Sequence, residues 1–60
     1  MNYKLYILNS IKNLSIEEKI EWIDHKMKLI EDVNLWEDSD KEIYASLQSI
    51  KENLWKIVSK

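Results

Sequence analysis

Two apolar stripes with identical spacing constrain this chain more than any other feature. Ile16, Ile20, Ile23, Met27 and Ile30 recur at intervals of four, three, four and three, and Ile43, Leu47, Ile50, Leu54 and Ile57 repeat the pattern. That spacing holds all five side chains of each set on one face of an α-helix. Continuing the first stripe in register reaches Asn34 and Glu37, both polar, so the face breaks between Glu31 and Glu42. Reversing the second stripe against the first pairs Ile30 with Ile43, Met27 with Leu47, Ile23 with Ile50, Ile20 with Leu54 and Ile16 with Ile57. This is the register of an antiparallel helical hairpin with a short connection near Trp36 and Glu37. One uninterrupted helix is the alternative, and it would need a partner to cover two misaligned faces.

Local signals agree with the break. Ser15-Ile16-Glu17-Glu18 and Ser39-Asp40-Lys41-Glu42 each match the S-x-x-E capping box and each stands directly before a stripe. In such a box the serine hydroxyl accepts a free N–H of the first turn and the glutamate reaches back to the cap's own N–H. Both serines are therefore expected to start helices. The chain has no glycine and no proline, so helix is the default for its Leu-, Ile-, Lys- and Glu-rich segments.

Residues 3–13 admit two readings. Tyr3, Ile7, Ile11 and Leu14 form a helical stripe, but Leu5 and Leu8 fall on the far side. A segment apolar nearly all round fits a buried or sandwiched helix. A strand through Tyr3 to Leu8 would need a partner strand, and the chain offers no second candidate. The expected fold is all-α: an antiparallel hairpin plus a short N-terminal helix lying across it, a three-helix arrangement that dimerises into a larger bundle.

Sixty residues make one small domain, residues 1–60, with a thin core, because a chain of this size buries only about 60% of the surface its unfolded form exposes. Small scaffolds compensate with disulfides, metals, regular helix packing or self-association. There is no cysteine, and His25 is the only other soft metal ligand, so zinc chemistry is not expected. Without a signal peptide or a membrane-spanning segment of roughly 20 apolar residues, the chain reads as a complete, cytoplasmic gene product. All nine basic residues are lysine and the net charge is -2. Nucleic-acid binders cluster Lys and Arg, so that role is not expected. Abundant Lys, Ile and Asn without Arg point to AT-rich coding, as in many Gram-positive bacteria and their phages.

Candidate sites are few. Asp32, Asn34, Asp38 and Asp40 alternate as in a calcium loop, but Glu37 occupies the glycine position and Ile43 that of the closing glutamate, so capping and dipole roles for the acids are preferred. His25 lies opposite the apolar stripe beside Asp24, without the nucleophile and enclosed pocket that catalysis requires. No catalytic residue, cofactor or metal is expected. The aromatics say more. On a helix from Ile16 to Trp36, the residues Trp22, Leu29, Val33 and Trp36 make a second stripe about 130° from the first. Tyr44, Trp55 and Val58 flank the main stripe of the third segment. Either the first helix covers these faces or a subunit or partner does. We favour an interface formed by Trp22, Leu29, Val33, Trp36, Tyr44 and Trp55, because Trp and Tyr are over-represented at such surfaces.

The expected function is a non-enzymatic, homodimeric protein-binding module that inhibits, adapts or regulates a larger protein. A phage-encoded inhibitor of a host defence system comes first, and an antitoxin or a bacteriocin-immunity protein would also fit. A membrane-surface amphipathic peptide is the alternative of another class. Glu17, Glu21, Asp24, Glu31 and Asp32 on the polar face of the second segment oppose it, since adsorption to anionic lipid needs basic residues there.

Overall fold

A computed structural model describes residues 2–58. Three helices follow in order: α1 (Tyr3–Ile11), α2 (Ile16–Glu31) and α3 (Asp38–Val58). All regular structure among the described residues is helical, so residues 3–11 take the helical alternative. α2 and α3 form the hairpin. None of the helices is long and apolar enough to cross a membrane, among the described residues.

The core is the two stripes plus one face of α1. Ile23, Met27, Leu47, Ile50 and Leu54 are buried with Ile7 and Ile11, while Ile20, Ile30 and Ile43 pack against them partly covered. The outermost expected pair is not closed: Ile16 is 36% exposed and Ile57 55%. Both lie at the hairpin's far end, Ile16 at the start of α2 and Ile57 next to the last residue of α3, and packed helices that cross at an angle diverge away from their closest point. Among the described residues no polar side chain is buried, so the core rests on apolar packing.

α1 departs from expectation in two ways. It packs on α3 and scarcely meets α2, rather than lying across both. Nor is it sandwiched: Ile7 and Ile11 are buried, but Leu5, Tyr6 and Leu8 face outwards. A nine-residue helix is about 13 Å long, and its two buried residues, Ile7 and Ile11, make one narrow apolar stripe that packing on α3 covers. Asn2 caps α1, its Oδ1 accepting the Leu5 N–H at 3.2 Å.

The caps explain where the other helices start. The Ser15 box forms as expected: the Glu18 N–H donates to Ser15 Oγ at 3.2 Å, and the Ser15 N–H donates to Glu18 Oε1 at 3.5 Å. The Ser39 box does not form. α3 begins at Asp38, which puts Ser39 inside the first turn, and the Glu37 N–H donates to Asp40 Oδ2 at 3.0 Å. Asp40 thus performs the reach-back, two positions before the Glu42 of the expected box. A carboxylate there also meets the positive end of the helix dipole.

The connection spans Asp32 to Glu37, and no described residue has positive φ. Helices commonly end on a left-handed glycine that covers their last carbonyls. This chain has no glycine, and the Ile30 carbonyl is covered differently. It accepts the Val33 N–H at 3.0 Å and the indole N–H of Trp36 at 2.8 Å. The same indole packs on Tyr44, with ring centroids 5.0 Å apart and planes tilted by 44°. Trp36 thereby ties the end of α2 to the start of α3.

Candidate functional site

Because α1 and α2 both stand on α3 but splay from each other, an open groove forms between them. Their joint is the short connection through Lys12 to Ser15. Tyr3, Tyr6 and Ile7 of α1 form one wall, Trp22, Lys26, Leu29 and Ile30 of α2 the other, and Ile43 and Leu47 of α3 the floor. Its volume is about 370 Å³, at the lower end of the roughly 300–1,000 Å³ range of ligand-sized clefts.

The lining is apolar apart from two phenol hydroxyls and one ammonium. Lys26 Nζ stands over the Trp22 ring, 5.4 Å from its centroid, a cation–π distance. That contact orders the lysine at the groove's edge and leaves its charge facing outwards. No carboxylate, imidazole, thiol or hydroxymethyl group of the described residues lines the groove, so that lining offers shape, apolar area and a positive charge, and no paired nucleophile and base. Among the described residues, no three His, Cys, Asp or Glu side chains gather where they could hold a metal ion. His25 is exposed on the outside of α2.

The aromatic residues singled out in the sequence separate into three groups. Trp22 and Leu29 line the groove, Trp22 partly buried against the core and Leu29 50% exposed. Trp36 and Tyr44 pair with each other inside the chain. Val33 lies in the connection, and Trp55 stands 48% exposed near the end of α3, away from the groove. The four-residue stripe from Trp22 to Trp36 is not one helical face, because α2 ends at Glu31 and the chain then folds back. The wall contributed by Tyr3, Tyr6 and Ile7 was absent from the expected site. Its signal is the i, i+3, i+4 spacing of those three residues, which marks them as neighbours but not as the edge of a gap.

On the opposite flank Asp24 pairs with Lys51 across α2 and α3. Both side chains are partly exposed, so the pair contributes no more than about 0.2–1 kcal/mol. The groove is therefore an apolar recess that the hairpin does not consume. No family model, no curated protein and no solved structure matches the chain.

Proposed function

We propose that this protein is a non-enzymatic binding module that docks on a larger protein through the α1–α2 groove, as an inhibitor, adaptor or regulator. The observation that carries the reading is the groove itself: half-exposed Leu29 and Tyr6 flank a recess floored by core residues Ile43 and Leu47. Apolar anchors entering such a recess are how one helical surface recognises another. Within this class, an inhibitor carried by a phage against a host defence system is our first reading, on the grounds of a composition whose basic residues are all lysine. Such a protein acts in the host cytoplasm.

Affinity capture from the source cell's lysate tests the proposal when wild type and Leu29→Glu are compared side by side. Leu29 is half exposed, so the variant keeps its helices, which circular dichroism verifies. A protein retained by the wild type and lost with Leu29→Glu is the expected outcome. An identical set retained by both variants, or nothing retained by either, would overturn the groove as the docking site.

A twofold dimer is the second reading, favoured by apolar surface outside the groove: Leu5 and Leu8 on α1, and Trp55, Ile57 and Val58 at the end of α3, all lie exposed. Such a dimer would use one patch on both subunits. Light scattering separates the readings, since a single-chain mass at high micromolar concentration excludes the dimer.

A further inference from the structure

We infer that the occupant of the groove is an acidic amphipathic helix of the partner protein, its apolar stripe seated between Tyr6 and Leu29 and a flanking carboxylate meeting Lys26. This inference rests on the docking role proposed above and adds the partner's chemistry. Its first support is shape. Two helices standing apart on a third leave the position that a further helix occupies in a four-helix bundle. The groove is open along one side, so a helix can lay anchors at i, i+3 or i+4, and i+7 into it.

The second support is charge. The chain carries a net charge of -2, yet among the described residues the only charged side chain lining the groove is Lys26. α1 contains no acidic residue. On α2, at roughly 100° per residue, the acids Glu17, Asp24 and Glu31 project about 140–180° away from both Trp22 and Lys26, and Glu21 about 100° from Trp22 and about 140° from Lys26. Glu18, which lies on the Trp22 side, is held by Ser15 in the capping box. The recess is thus a positive edge on an acidic protein, held in place by the Lys26–Trp22 contact. Complementary charge at a rim selects partners and speeds association. A basic helix would meet Lys26 with like charge here. Of the exposed apolar surfaces of a second copy, α1 with Leu5 and Leu8 brings Lys4 and no acid, and the end of α3 sets Lys56 beside Glu52, Trp55, Ile57 and Val58, so neither offers a net negative charge.

A displayed library of amphipathic helices tests this. The apolar stripe is fixed as Leu and Phe, the flanking positions are varied among Glu, Gln and Lys, and selection is made on the full chain. Enrichment of Glu is expected. A selected Glu-bearing peptide should bind Lys26→Glu roughly three- to tenfold more weakly than wild type, as expected when one exposed ion pair becomes a repulsion. Exchanging its glutamates for lysines should restore binding to that variant. Enrichment of Gln or Lys, or an acidic peptide indifferent to Lys26→Glu but lost with Leu29→Glu, would overturn the partner's charge and leave the groove as the docking site. An empty selection, or binders indifferent to both variants, would overturn the groove and the acidic helix together. Both substituted residues are exposed, and circular dichroism confirms that each variant folds.

Discussion

Truncating Ile23 should be close to the most damaging conservative change this chain can suffer. The side chain is fully buried at the centre of the hairpin, within a cluster that includes Met27, Leu47 and Ile50. Ile23→Ala removes three methyl or methylene groups at about 0.8 kcal/mol each, so transfer alone costs about 2.4 kcal/mol. The cavity left behind raises the total into the range of about 2–5 kcal/mol. A domain of 60 residues has roughly 3–9 kcal/mol to lose at about 0.05–0.15 kcal/mol per residue. Ile23→Val should cost only about 0.5–1.5 kcal/mol. Ile57→Ala, at a position with the same stripe pattern but exposed, should stay within about 0.5 kcal/mol of wild type. Urea unfolding followed by circular dichroism measures all three. A lowering of Tm by about 4–8 °C per kcal/mol provides an independent check in a domain of this size. If Ile57→Ala costs as much as Ile23→Ala, the hairpin closes further than described. If Ile23→Ala costs under about 1 kcal/mol, the core is not centred where the structure places it.

Trp36→Phe keeps an aromatic ring near Tyr44 but loses the indole N–H to the Ile30 carbonyl, for an expected cost of about 0.5–1.5 kcal/mol in urea unfolding. Trp36→Ala should cost more, by the roughly 1.5–3 kcal/mol that burial of one large side chain contributes; two neutral results would mean that the connection does not depend on Trp36. Asp40→Ala should destabilise by about 1 kcal/mol because Asp40 accepts the Glu37 N–H, whereas Ser39→Ala should fall within about 0.5 kcal/mol of wild type. The reverse order in thermal melts would restore the Ser39 cap. Ser15→Ala, at a complete box, should cost about 0.5–2 kcal/mol by the same measurement.

The hairpin was readable from the chain because a repeating three- and four-residue spacing has one regular solution, and the inner residues of both stripes, Ile23, Met27, Leu47, Ile50 and Leu54, form the buried core with Ile7 and Ile11. Ser15 was readable because its box had no competitor. At the start of α3, by contrast, Asp38, Ser39 and Asp40 are all good capping residues within three positions, and pattern alone cannot rank them. Trp36 has a second role that pattern did not disclose: in a chain without glycine, its N–H helps to close the end of α2. The groove was legible only in part. Trp22 and Leu29 carried the amphipathic signal of a second face, but the recess exists because α1 leans on α3 and away from α2, and that angle is set by tertiary packing rather than by any local pattern.

The docking role of the groove is tested most directly by position-resolved photo-crosslinking in the cells that carry the protein. A benzophenone amino acid replaces Tyr6 on the groove's edge in one variant and Glu52, on the exposed flank of α3, in another. Both sites are solvent-facing, so neither replacement disturbs the core. An adduct with a larger protein that forms from position 6 and not from position 52, and that disappears when Leu29→Glu is added, is the predicted result. An adduct from position 52 alone, or one from position 6 that survives Leu29→Glu, would contradict it.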